Sequence, residues 1–222
     1  MARKTNNRIQ KRHLILCEGA DAENFLIYWL NNPALSTYPF FANDIQVMDF
    51  GGITALPLFL QSIKAMEGYH DISSLLIIRD AERDEAAAKQ AVCSALQKAA
   101  LPVPTQPHRW ANGENLKIGF LLFPVCGEHP CSGTLEDLCL EILNEESREM
   151  LLAEIQGFMD HLHDKHGREF PHEFKTKLHT YFSVTDDFVS MKIGEAARAG
   201  AFDWHHPALW PIRDFILELL PA

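Results

Sequence analysis

Four short apolar runs, HLILC (13–17), DIQVMDF (44–50), SSLLIIRD (73–80) and KIGFLLFP (117–124), each give way to a stretch of helix-forming character. The stretches that follow them are DAENFLIYWLNN, ITALPLFLQSIKAM, EAAAKQAVCSALQKAA (85–100) and TLEDLCLEILNEE (134–146). Near-continuous apolar strands alternating with helices demand a sheet buried on both faces, which parallel strands joined by right-handed crossovers provide. The fold expected is therefore α/β, a parallel sheet covered by helices on both faces. After residue 147 the pattern changes to helical periodicities alone, in REMLLAEIQGFMDHLHDKHG, EFKTKLHTYFSV, VSMKIGEAARAG and PALWPIRDFILELL. Residues 1–146 then form an α/β domain with a short basic arm, and 147–222 form a helical part sharing its core. Pro57 must kink or start its helix. LPVPTQPHRWANGENL (101–116), with three prolines and a glycine, reads as a long surface connection.

At 222 residues, 47% hydrophobic and 23% charged, the chain has the balance of a soluble globular protein with one substantial core. It contains no apolar run of the ~20 residues a membrane span requires, so no membrane partner is expected. The opening MARKTNNRIQKRH is basic but lacks an apolar core, so it does not read as a secretory signal. Five scattered cysteines (17, 93, 126, 131 and 139) fit a reduced, cytoplasmic setting. The net charge of −10 argues against a general nucleic-acid coat. The first thirteen residues hold five of the twenty Lys and Arg and none of the thirty acids, so the rest carries −15. A basic arm on an acidic body suits phosphate contact or a solubilising terminus.

The acids are placed with a pattern. Glu18 follows the first strand, Asp80 closes the third, and Glu82 and Asp84 lie just beyond it. In open parallel sheets ligands bind at the carboxyl ends of the strands. A hard cation such as Mg²⁺ takes oxygen ligands and needs only one or two carboxylates beside water and phosphate. Asp80 and Glu82 could serve one ion if the strand end stays extended. Strand-end acids also serve as helix caps opposing the dipole, a role that suits Asp84 and Glu85. Asp49 lies near the end of the second strand, where alternation turns it another way.

Taken together, LILCEG (14–19), LIIRDAERD (76–84), GTLEDLCLE (133–141) and IGEAARAGAFDW (193–204) resemble the Toprim domain, the Mg²⁺-binding module of topoisomerases, primases and OLD-family nucleases. The likeness is nearest to small bacterial Toprim-related proteins akin to the OLD-family nucleases, and it spans nearly the whole chain in order. The resemblance implies that Glu18 is a general acid/base or metal ligand and that Asp80 is the first acid of a D-x-D pair. Glu82 stands at the second, one methylene longer than Asp. It further implies an auxiliary acid at Asp21 or Glu23, a second-metal ligand at Glu136 within a Thr134-Leu135-Glu136 step, and a charge-stabilising lysine at Lys177 in preference to Lys175. The implied cofactor is one or two Mg²⁺ or Mn²⁺ ions, and the implied reaction is phosphodiester hydrolysis of nucleic acid. The alternative is an inactive Toprim subunit that binds nucleic acid or a nucleotide. Such a subunit could belong to a larger complex whose ATPase comes from elsewhere, since the chain has no G-x-x-x-x-G-K-[ST] loop. A homodimer is also possible.

Other reactive residues read as structural. Cys126 and Cys131 flank His129 without a fourth zinc ligand. His161, His163, His166 and His172 suit an exposed polar helix face. Cys17 suits the core, and Trp204, His205 and His206 suit the docking of the last helix. Arg79 and Lys117, at strand ends, remain isolated candidates for phosphate contact.

Overall fold

The computed structural model describes residues 8–32, 44–52, 54–124, 132–143 and 148–219. Five strands form one sheet: β1 (His13–Cys17), β2 (Ile45–Asp49), β3 (Ser74–Asp80), β4 (Trp110–Asn112) and β5 (Lys117–Phe123). Their order is β2-β1-β3-β5-β4. The first four in that order run parallel, with Cys17 opposite Asp49 and Ile78, and Asp80 opposite Phe123. Their carboxyl ends therefore share one edge. The chain runs outward from β1 to β2 on one side and to β3 on the other, so β1 and β3 flank the point where the connections diverge.

Helices cover both faces, because successive strand residues point to opposite sides. Ile15, Cys17, Leu76, Ile78, Leu121 and Phe123 pack into one core. That core also takes in residues of α1 (Gly19–Leu30), α4 (Leu135–Glu141), α5 (Arg148–His166), α6 (Glu173–Val184), α7 (Ile193–Ala199) and α8 (Trp210–Leu217). Leu14, Leu16, Leu75, Ile77, Ile118, Phe120 and Leu122 face the other way, onto α2 (Leu56–Ser62) and α3 (Glu85–Lys98). The fold is thus α/β with a helical C-terminal part, and the C-terminal helices share a core with β1, β3 and β5. Among the described residues no helix is long and apolar enough to cross a membrane.

Local chemistry accounts for most boundaries. Pro57 starts α2, where its missing N–H costs nothing. Asp84 caps α3 by accepting the Ala87 N–H at 2.9 Å. The IGEAARAG stretch forms α7, which ends at Gly200 in the left-handed region, φ +89°. Gly194 lets α7 lie directly on α1, since a Cβ there would stand 2.5 Å from Asn24 Cβ.

The connection at 101–116 departs from the expectation, because it contains β4, an antiparallel edge strand on β5. A three-residue edge strand carries too little alternation to stand out from its prolines. Tertiary packing creates it: Trp110 lies opposite Gly119 and stacks on Phe215 of α8 at 4.5 Å between ring centroids. Gly119 is required there, since a Cβ would meet Trp110 ring carbons at 2.8 and 2.9 Å.

Candidate functional site: an acidic cleft at the carboxyl end of β3

The Glu18-Gly19 pair turns the chain from β1 into α1. Glu18 is extended (φ −86°, ψ 104°) and its N–H still donates to Ile78 O at 3.2 Å, continuing the β1–β3 ladder. Gly19 then adopts φ +85°, and a Cβ at this position would have no atom within 4 Å, so glycine serves backbone conformation rather than space. Asp49, from the neighbouring strand, accepts the N–H groups of Gly19 (2.8 Å) and Gly51 (2.6 Å). It thereby secures the turns after both β1 and β2.

Arg79 and Asp80 are consecutive in β3 and so project to opposite sides. Arg79 is only 5% exposed, and its Nε lies 3.5 Å from Glu18 Oε2. Asp80 Oδ1 accepts the N–H of Leu135, the first residue of α4, at 2.9 Å. Burial raises the Asp80 pKa to about 7; Glu136 adds to the rise, the Leu135 N–H opposes it, and Glu18 and Glu82 push it further up. The carboxylates thus share one electrostatic neighbourhood, in which Asp80 resists ionisation.

Asp80 lies in the wall of a cleft of about 1070 Å³, between the β3–α3 loop, the start of α4 and the α5–α6 connection. Its lining includes Arg79, Glu82, Thr134, Glu136, His172 and Lys175. Arg83 ties two of these walls together, donating from Nη2 to Pro171 O at 2.9 Å.

The residues singled out from sequence fall into three groups. Asp80, Glu82, Glu136, Asp84 and Thr134 line the cleft, and Glu18 stands behind it against Arg79. Thr134 and Asp84 have helix-capping work there: Thr134 donates through N–H and hydroxyl to Asp137 Oδ2 at 2.8 and 3.0 Å. Burial raises the Asp137 pKa, while those Thr134 bonds hold it back. Asp21 and Glu23 do not line the cleft; Asp21 accepts from Gly194 N at 3.5 Å and Glu23 from Asp49 N at 3.4 Å.

Two placements differ from what the sequence suggests. The strand end does not stay extended through Glu82, which sits at φ +57° and exchanges backbone hydrogen bonds with Gly133 (2.8 and 2.7 Å). Lys177 donates to Gln156 Oε1 at 3.1 Å, whereas Lys175 lines the cleft with Nζ 3.6 Å from Glu136 Oε1. Positions two apart on a helix point about 200° from one another, so only one of these lysines can face the cleft. His172, expected on a polar face, also lines the cleft; His163 and His166 are exposed on α5. Cys17 and Cys139 are buried thiols, and Trp204 packs edge-on to Phe25 at 5.2 Å. Cys126, His129 and Cys131 lie outside the described residues.

The donors are carboxylate oxygens, which suit Mg²⁺ or Mn²⁺ rather than a soft metal. Among the described residues no three His, Cys, Asp or Glu side chains are gathered closely enough to hold an ion by themselves. A cation in this cleft would rest on one or two carboxylates at most, with water and ligand oxygens completing its shell.

Residues 12–221 match the family described as "Protein of unknown function (DUF3226)", and the chain belongs to that family. No curated protein and no solved structure matches it.

Proposed function

We propose that this family member is a divalent-metal-dependent phosphodiesterase that acts on nucleic acid in the cleft beside Asp80, with a Toprim-like site. The observation that carries the proposal is the state of Asp80. A carboxylate held near neutrality by burial and by Glu136, Glu18 and Glu82 gains most from a nearby cation. Asp80 and Glu136 are the residues that would hold Mg²⁺ or Mn²⁺, with Glu82 at the rim and Glu18 behind. A bound ion of this kind supplies Lewis-acid polarisation of a phosphodiester and lowers the pKa of an attacking water. Lys175, at the same cleft, offers a positive charge to the non-bridging phosphate oxygens. Asp49, by accepting the Gly19 N–H, fixes the backbone turn that carries Glu18.

One observation favours a second reading, a nucleic-acid- or nucleotide-binding subunit without turnover, working beside an ATPase or as a homodimer. Glu18 faces Arg79 and does not line the cleft, so the ligand set is sparse.

The deciding experiment is cleavage of supercoiled plasmid and labelled single strands in Mg²⁺ and in Mn²⁺, with Asp80→Asn alongside. Cutting that needs metal and disappears in the variant supports the nuclease. Cutting that persists in the variant removes Asp80 from the site. Metal-dependent binding without cutting favours the subunit.

A further inference from the structure

We infer that Arg79 is an anion-binding residue of the cleft, whose guanidinium takes a phosphate oxygen of the ligand. The inference rests on the proposed phosphate chemistry of this cleft and deepens it.

The Arg79 side chain is only 5% exposed, yet it lines the cleft. Nε donates to the neighbouring Asp80 carbonyl at 3.1 Å and faces Glu18 Oε2 at 3.5 Å. The Glu18 distance exceeds the roughly 2.7–2.9 Å of a good charge-assisted bond. Nη1 is buried and has no hydrogen-bond partner among the described residues. A guanidinium presents five donors in a planar fork that matches a carboxylate or phosphate through two parallel bonds. Here Nε is occupied and Nη1 is left without a partner among the described residues. Buried polar atoms are nearly always satisfied, and an exception at a cleft calls for a ligand.

The other long cations of the cleft are exposed: Arg83 donates to Pro171 O, and Lys175, 56% exposed, has Nζ 3.6 Å from Glu136 Oε1. Arg79 also sits next to Asp80, on the opposite side of the same strand end. Because Arg79, Asp80 and Glu136 nevertheless line the same cleft and Arg79 Nε lies 3.5 Å from Glu18, an anion bound to Arg79 there would lie near the carboxylates that attract a cation, which is the arrangement a metal-bridged phosphate needs. A simple acid ligand would meet repulsion from Glu18, Asp80 and Glu136 unless a cation were present. Binding of phosphate and of metal should thus reinforce one another.

The test is affinity for two probes in Ca²⁺ and in EDTA, a fluorescent single-stranded oligonucleotide and ADP, which separate a phosphodiester source from a free nucleotide. The proteins are wild type, Arg79→Lys and Arg83→Gln, each checked by thermal melting. Arg79→Lys keeps the charge and loses the fork. It should weaken binding at least tenfold in Ca²⁺, whereas Arg83→Gln should change it less than threefold. Oligonucleotide binding by the wild type that Arg79→Lys leaves intact overturns the role of Arg79 while the nucleic-acid reading stands. Arg79-dependent binding of ADP alone supports the anion site and removes nucleic acid as its source. Failure of the wild type to bind either probe overturns both. Where Arg79→Lys does not fold, a crystal structure of the wild type with Ca²⁺ and oligonucleotide decides. A phosphate oxygen within hydrogen-bond distance of Nη1 supports the assignment, and an ordered water there with phosphate elsewhere overturns it.

Discussion

The Asp80 carboxylate accepts the backbone N–H of Leu135 at 2.9 Å, joining the end of β3 to the start of α4 across 55 residues of sequence. This one bond makes Asp80 both a structural clasp and the most electrostatically burdened acid of the cleft. The two roles separate in Asp80→Asn, whose amide oxygen can keep the clasp while the charge is gone. The folded Asp80 pKa of about 7 lies above the unfolded 3.8, so the native state binds the extra proton between those values. Stability then falls as pH rises through about 4 to 7, and the cost is complete above 7. Its upper size is on the order of 4 kcal/mol. His13 and His108, whose pKa values burial lowers, act in the opposite sense below their unfolded value. The difference between variant and wild type isolates Asp80. Urea titrations should find Asp80→Asn more stable by about 1–3 kcal/mol at pH 8, with the gain vanishing near pH 4. A flat difference across this range would mean that Asp80 is not burdened.

Divalent cations should reverse the burden. At pH 8 in metal-free buffer, saturating Mn²⁺ should raise the melting temperature of the wild type and leave Asp80→Asn nearly unmoved. At a hundredfold excess over Kd the linkage stabilises by about 2.7 kcal/mol. Equal shifts in both proteins would place the ion elsewhere.

Lys175 and Lys177 should differ in single-turnover cleavage. Lys175→Ala removes the cleft ammonium and should slow the reaction about 100-fold, within the range for losing one transition-state stabiliser. Lys177→Ala breaks a bond to Gln156 on α5 and should leave the rate within about threefold. The reverse order would return the role to Lys177.

Helix contact makes a further prediction. Gly194→Ala would drive a Cβ to 2.5 Å from Asn24 Cβ and force α1 away from α7. The expected loss is about 1–3 kcal/mol by urea denaturation, as for other overpacked sites. Gly157→Ala, on α5 with no atom within 4 Å of the added Cβ, should be neutral or stabilise by about 0.5–1 kcal/mol. Equal effects from both would mean that α1 and α7 are not in close contact.

Much of this molecule is legible in its local sequence, for a physical reason. Strand and helix periodicities, the Asp84 cap and the Pro57 start are properties of neighbouring residues, decided by backbone sterics and short-range hydrogen bonds. Those features determine an α/β chain with acids at the ends of β1 and β3 and helices toward the C-terminus. The tertiary structure alone decided the strand order that sets β1 beside β3, the edge strand held by Trp110 and Phe215, and the left-handed turn at Glu82 paired with Gly133. It also decided that Lys175 rather than Lys177 faces the cleft, and that Arg79 meets Glu18. These depend on pairs as far apart in sequence as Trp110 and Phe215. No local pattern encodes such pairs, because they arise only when separate faces are buried against one another.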